Sequence, residues 1–116
     1  MNEYLLIYRG GDPKWKENAK PEELQAVMQE WGTWISKLQA SGNLSTGGDP
    51  LEGEGKVMDS KGVTTDLSLA ETKELVGGYS IIKAESLDHA VELTQDCPAL
   101  EGGDSTVEIR QICHMG

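Results

Sequence analysis

The sequence has half as many basic residues as acidic ones. It contains 10 Lys and Arg against 20 Asp and Glu, which gives a formal net charge of −10 at pH 7. Proteins that neutralise nucleic-acid phosphates or dock on anionic lipid need an excess of Lys and Arg on one face. The charge balance therefore argues against nucleic acid and against a membrane surface as partners of this protein.

The sequence also lacks a long apolar run. No stretch approaches the ~20 apolar residues that a membrane-spanning helix needs. The first ten residues, MNEYLLIYRG, carry an acid at position 3 and no basic segment, unlike a signal peptide. We therefore expect no membrane segment and, by default, a cytoplasmic location. A length of 116 residues predicts a single domain over residues 1–116.

Residue types that build reactive and metal sites are scarce. The two cysteines, Cys97 and Cys113, form no CxxC pair, and the two histidines, His89 and His114, have no metal-ligand spacing. We expect Cys97 on the apolar face of a helix, Cys113 in a frayed tail, His89 as a solvated side chain, and His114 to be disordered. Neither GxGxxG nor GxxxxGK[ST] occurs, so a phosphate-binding loop has no support. We predict no metal and no cofactor.

Two stretches have the apolar spacing of amphipathic helices. The first begins at Pro21, which suits the first helical position, and is stopped by Ser41-Gly42. Its stripe comprises Leu24, Val27, Met28, Trp31, Ile35 and Leu38, with Trp34 to one side. The second has Ser86 as its N-cap and ends before Pro98. Its inner stripe comprises Leu87, Ala90, Val91, Thr94 and Cys97. Trp15, in the polar loop 10–20, is an ordinary loop residue or part of a lid over a pocket.

The remaining pattern predicts strands. Residues 3–9, 79–84 and 106–112 alternate as strands do, and residues 43–55 hold a short extended segment. Residues 56–60 and 63–66 flank Lys61-Gly62, which indicates a hairpin. Gly77-Gly78 marks a bulge or a close backbone approach. The order is that of an α+β, ferredoxin-like split βαβ fold with a hairpin insertion.

The first strand is apolar on both faces. Leu5 and Ile7 point one way, and Tyr4, Leu6 and Tyr8 point the other. Two helices can cover one face of the sheet, but a domain of this size has nothing left for the second face. A second copy of the chain is the natural cover, so we predict a homodimer.

A set of polar residues near these strands forms the candidate ligand-binding cleft. It comprises Asp66, Glu71, Lys73, Tyr79, Glu108 and Arg110. Strand alternation puts Glu108 and Arg110 on the sheet face away from the helices, where charges are costly unless paired or wet. Three arrangements are open for these two side chains. They pair between neighbouring strands, they pair across a dimer interface, or they line a cleft between subunits. The run 71–74, ETKE, is equally explained as a charged surface turn.

Several segments resemble the YCII-related proteins, and among them the DGPF branch. They are EYLLIYRG, LQASG, TD…AETKE, GGYSIIKAESLDHAVELTQDCPA and VEIRQI, in this order. Where that branch has Asp-Gly-Pro-Phe and then Glu-Thr-Lys-Glu, this chain has Asp66-Leu67-Ser68-Leu69 and then Glu71-Thr72-Lys73-Glu74. The resemblance implies a ferredoxin-like fold and a homodimer packed sheet to sheet, a dimeric α/β barrel. Some relatives carry a proposed His-Asp site, but this chain has no histidine before His89, so an early-histidine dyad is not carried over.

Two functions from different classes remain. The first is a small-molecule cleft, with Arg110 as an anion partner, Tyr79 as a wall and, if a reaction occurs, Asp66 or Glu71 as the base. Lyase or hydrolase activity is not assigned by any motif. The alternative is a non-catalytic accessory protein that acts through protein contacts. The resemblance connects it with sigma-factor-dependent transcription initiation, because DGPF proteins are associated with that process.

Overall fold

The computed structural model describes residues 1–11, 14–67, 74–101 and 103–115. Their helices and strands follow in the order β1 (Asn2–Arg9), α1 (Trp15–Asn18), α2 (Pro21–Ala40), β2 (Leu44–Thr46), β3 (Lys56–Met58), β4 (Thr64–Asp66), β5 (Val76–Ala84), α3 (Leu87–Thr94) and β6 (Thr106–Gln111). The chain is therefore α+β, as predicted. The single turn α1 was not predicted, because it lies in a polar loop without an apolar stripe.

Four strands form one antiparallel sheet in the order β2-β5-β1-β6. At its centre, Leu6 on β1 lies opposite Ser80 on β5 and Ile109 on β6. β3 and β4 pair with each other as a separate two-stranded ribbon, which is the predicted hairpin. The described strands of a single chain form no closed barrel, so the dimeric barrel stays a prediction.

The core lies on one face of this sheet. Alternate residues of β1 and β5 point to this face, which we call the helix face, and meet side chains of α2, α3 and the turn after α3. The core comprises Tyr4, Leu6, Trp34, Leu38, Ile82, Ala84, Ala90 and Cys97. Burying one such large apolar side chain contributes about 1.5–3 kcal/mol. The opposite face carries only partly buried side chains, among them Leu5, Ile7 and Ile81, and we call it the open face.

The ends of α2 agree with the sequence signals. Pro21 occupies its first turn. At the other end Gly42 takes a φ of 81°, and the amides of Gly42 and Asn43 donate to the carbonyls of Gln39 and Leu38. This is a Schellman-type stop, which needs a residue that tolerates positive φ. None of the described helices combines the length and the apolar character needed to cross a bilayer.

The start of α3 is also confirmed, but its predicted stripe is partly wrong. The Ser86 hydroxyl accepts a hydrogen bond from the His89 amide. His89 Nδ1 in turn accepts from the Glu85 amide at 3.0 Å, so this side chain caps the helix and is not merely solvated. Leu87 and Val91 are 52% and 44% exposed. The helix is only eight residues long, and of the predicted stripe only Ala90 and Thr94 are buried on it. Cys97 is buried in the turn beyond its end.

Candidate functional site

A cavity of about 670 Å³ lies between α2, α1 and the Gly-rich end of β5. The loop 47–53 forms one side of it, and the end of β1 together with Ala99 and Ser105 forms another. Its volume falls within the range of roughly 300–1,000 Å³ that small-molecule sites occupy. The described side chains that line it are mostly aliphatic and aromatic, including Val27, Trp31 and Ile35, which lie one turn apart on α2.

Aromatic rings give this cavity a fixed wall. The ring centroids of Tyr8 and Trp31 are 5.2 Å apart at an interplanar angle of 64°. Trp31 meets Trp34 edge to face at 5.8 Å. The Trp34 indole N–H donates to the Leu93 carbonyl at 3.1 Å, which ties α2 to α3. Edge-to-face pairs favour one relative orientation of the rings, so the wall is held in place before any ligand arrives.

A short hydrogen-bond chain lies behind the wall. The Tyr8 hydroxyl donates to Ser80 Oγ at 2.7 Å, and the Ser80 hydroxyl donates to the Gly47 carbonyl at 2.7 Å. Burial raises the pKa of the Tyr8 phenol, and this outweighs the opposing effect of its hydrogen bond to Ser80. Burial likewise raises the pKa of the nearby Cys97 thiol. Both groups are therefore neutral at physiological pH, and neither supplies a nucleophilic anion.

Two glycines let the loop 47–53 lie directly against β5. Gly48 has a φ of 70°, and a Cβ placed there would stand 1.7 Å from the Tyr79 carbonyl oxygen. At Gly78 a Cβ would stand 3.0 Å from the Asp49 carbonyl oxygen. The contact is completed by hydrogen bonds from the Tyr79 amide to the Asp49 carbonyl and from the Leu51 amide to the Gly77 carbonyl. The predicted close backbone approach at Gly77-Gly78 is thus confirmed.

The rim of the cavity carries charges of both signs. Arg9 and Lys16 are among its lining residues, as are Asp49 and Glu52. Lys16 Nζ lies 3.9 Å from Glu52 Oε1 and 5.9 Å from the centre of the Trp15 ring. Trp15 itself lines the cavity, in line with the sequence-based idea of a tryptophan at a pocket.

The structure places the sequence-predicted site residues in different regions. Asp66 lies on the β3-β4 ribbon, where it bonds Lys56 Nζ at 2.6 Å, and it does not line the cavity. Glu71 and Lys73 lie outside the described residues. Tyr79 does line the cavity, although its register opposite Ile7 directs its side chain to the open face. Of the described ones, Asp66 and Tyr79 therefore lie in different places, on the ribbon and at the cavity.

Glu108 and Arg110 lie on the open face, as strand alternation predicted. Glu108 Oε1 accepts from Arg9 Nη1 of the neighbouring strand at 2.6 Å. Arg110 Nη1 is 3.7 Å from the other oxygen of Glu108. The pairing between strands, one of the three possibilities, is therefore present. A pairing across a dimer interface and a cleft between subunits stay predictions.

Sequence periodicity alone predicts only that core residues occupy four positions of this cavity wall, namely Tyr8, Val27, Trp31 and Ile35. Their apolar periodicity is the same whether a helix packs tightly on a sheet or stands away from it. The available signal was the glycine content of the facing segments, residues 47–48 and 77–78, because glycines leave space that side chains would fill. His114, expected to be disordered, is described and lies with its Nε2 3.0 Å from Glu3 Oε1.

Comparison with known proteins identifies the family of the chain. A family model, described as YCII-related domain, matches residues 5–115. A search of curated proteins found no match to the chain. Within the residues that the structure describes, no group of three or more His, Cys, Asp or Glu side chains is arranged to hold a metal ion. Since the family model covers nearly the whole chain, the protein belongs to the YCII-related domain family.

Proposed function

We propose that this YCII-related protein binds a flat, mainly apolar small molecule in the cavity between α2 and the sheet. The observation that carries the proposal is the preformed aromatic wall of Tyr8 and Trp31 in a cavity of about 670 Å³. A planar ligand gains dispersion and stacking contacts on such a wall without reorganising it. The carboxylate-lined cleft of the sequence analysis stays a separate prediction.

The chemistry of the cavity narrows the ligand class. Tyr8 uses its proton in the bond to Ser80, and its oxygen also has the Cys97 thiol as a hydrogen-bond partner. The Tyr8 phenol therefore contacts a ligand through its ring. Bases and acids both occur at the rim, so the cavity does not select a strongly charged ligand. We expect a neutral ring compound.

The proposal concerns binding and includes no bond-making step. The buried groups nearest the cavity that could act as nucleophiles are Tyr8 and Cys97, and burial raises the pKa of each. A phenol and a thiol in their neutral forms are poor nucleophiles at physiological pH. Asp66, one predicted base, lies on the β3-β4 ribbon. Reversible binding is the activity that this arrangement supports best.

The experiment is a thermal-shift screen of the protein against neutral aromatic and alicyclic metabolites. A ligand at about 100 times its Kd stabilises the folded state by roughly 2.7 kcal/mol. The variant Val27→Trp fills the cavity, because Val27 lines it. Val91→Trp is the matched control, because Val91 is 44% exposed on α3 and is not a lining residue. Hits are expected to be lost in the first variant and kept in the second.

Two further variants separate this site from the one predicted from sequence. Asp66→Ala and Arg110→Ala change residues outside the cavity lining, so they are expected to keep every hit. Hits that vanish in Asp66→Ala or Arg110→Ala but survive Val27→Trp would refute the cavity and return the site to those residues.

We also propose that the protein is a homodimer, assembled through the open face of a ferredoxin-like sheet in the manner of a dimeric α/β barrel. The strand order β2-β5-β1-β6 supports this, since it is that of a split βαβ unit. Light scattering tests the dimer, and a monomeric mass at micromolar concentration would contradict it.

The apolar residues and the ion pair of the open face suit a protein–protein interface. Leu5, Ile7 and Ile81 are only half-buried there, and Arg9 and Glu108 form an ion pair beside them. Leu5→Lys places a charge in the centre of this face and is expected to abolish association through it. A screen without hits, together with an intact dimer, would favour the alternative function, an accessory protein that acts through protein contacts.

A further inference from the structure

The outer edge of β6 is an unpaired strand edge. Among the described strands β6 is the last of the sheet order, with β1 on its inner side only. The Ile112 amide donates to the Glu3 carbonyl at 2.8 Å, which fixes the phase of the β1-β6 ladder. In an antiparallel ladder the main-chain groups of alternate residues point to opposite edges. The N–H and C=O groups of Val107, Ile109 and Gln111 therefore point outward.

Two side chains of opposite charge, those of Glu108 and Arg110, lie beside this edge. Glu108 and Arg110 are two residues apart, so their side chains share the open face. Their side chains are 40% and 71% exposed. An acid and a base spaced by two residues on one strand form a self-complementary pattern. A two-fold axis through Ile109, the residue between them, brings each charge opposite the unlike charge of a second copy.

The geometry points to antiparallel pairing of β6 with β6 of a second copy of this chain, centred on Ile109. Ile109 then lies opposite the partner's Ile109, and Val107 lies opposite the partner's Gln111. These are the outward-pointing residues, so the pairing forms about six main-chain hydrogen bonds. Glu108 faces the partner's Arg110 at the positions between them, where cross-strand side chains approach most closely.

The charges select this register over its neighbours. The register of this pairing can shift only in steps of two residues. The reason is that only Val107, Ile109 and Gln111 have main-chain N–H and C=O groups that point outward. A shift in one direction places Glu108 opposite the partner's Glu108, and a shift in the other places Arg110 opposite the partner's Arg110. Directly opposed like charges destabilise a strand pair. The centred register also uses the full length of the strand.

This edge contact is separate from the dimer through the open face. It joins two four-stranded sheets side by side into one continuous sheet and leaves Leu5, Ile7 and Ile81 uncovered. The opposite edge of the sheet is a poorer partner, since β2 has three residues and a register irregularity between Leu44 and Thr46. Pairing of β6 with itself is isologous, so this contact by itself joins two copies.

A charge exchange tests the pairing. Arg110→Glu and Glu108→Arg each oppose like charges across the two-fold axis and are expected to weaken self-association roughly tenfold or more, since two pairs are affected. An equimolar mixture of the two variants restores both opposite-charge pairs and is expected to form hetero-assemblies. Native mass spectrometry distinguishes them, because the variants differ in mass. Lys83→Glu, on β5 of the same face, is the control for the change in net charge.

A main-chain variant separates this edge from the open face. Gln111→Pro removes an outward N–H that β1 does not use, and proline is tolerated at strand edges. It is expected to abolish the edge contact in sedimentation velocity, whereas Gln111→Ala and Arg9→Gln keep it. Leu5→Lys is expected to leave the edge contact intact. Unchanged association of Gln111→Pro, or a mixture of the charge variants that forms no hetero-assembly, would overturn the proposal.

Discussion

Gly48 is where the loop 47–53 comes closest to β5, and its replacement tests how the cavity is built. An alanine Cβ at this position would stand 1.7 Å from the Tyr79 carbonyl oxygen, while the residue has a φ of 70°. Gly62, in the turn of the β3-β4 ribbon, also has a positive φ, 83°, but has no atom within 4 Å of an added Cβ. Gly62→Ala is therefore a matched control for backbone strain alone.

The two substitutions are expected to differ by about 1–3 kcal/mol. A left-handed backbone conformation costs a non-glycine residue about 1–2 kcal/mol, and both variants bear this cost. Gly48→Ala adds a clash with main chain, which the loop relieves by leaving β5. It then loses the hydrogen bonds from Tyr79 to Asp49 and from Leu51 to Gly77, at about 0.5–1.5 kcal/mol each. We expect a total loss of about 2–5 kcal/mol for Gly48→Ala.

Urea unfolding followed by tryptophan fluorescence measures both losses. The difference between the variants is a large share of a typical stability of about 5–15 kcal/mol, so it is well resolved. The slope of the free energy of unfolding against urea should stay constant for Gly62→Ala. Equal losses for Gly48→Ala and Gly62→Ala would refute the reasoning, because they would mean that the loop does not rest on β5 in solution.

Three further predictions concern single groups. Ser86→Ala removes the α3 cap and is expected to lower the free energy of unfolding by about 1 kcal/mol, as measured in urea. A hydrogen bond with Glu30, and repulsion from it, raise the pKa of Glu101; the pair therefore destabilises the ionised folded state. Glu101→Gln should raise the Tm at pH 7 and leave it unchanged below a pH of about 4, where the acid is protonated in both states; a gain that persists at low pH would contradict this. Cys113 is exposed and Cys97 buried, so a thiol reagent should modify the native protein at Cys113 first, and equal rates would show that the core opens readily.

The strands and helices were largely predictable from sequence, because their signals are local. Pro21 and Gly42 bound α2, Ser86 caps α3, and the alternation of β6 assigns Glu108 to the open face. Each of these signals depends on neighbouring residues in the chain and on backbone geometry that is the same in any fold. The exposure of Leu87 departed from the pattern, since the angle at which a short helix meets a sheet is not a local property.

The cavity, in contrast, was decided only by the tertiary structure. Tyr8, Trp31 and Gly78 come from three distant segments, and each has a complete local explanation as a strand, helix or bulge residue. Whether side chains of α2 reach the sheet depends on the loop 47–53, which holds its place only because Gly48 and Gly78 let main chain contact main chain. A sequence pattern indicates which side of a helix or strand is apolar. The distance between two apolar sides is set only when the helices and strands pack.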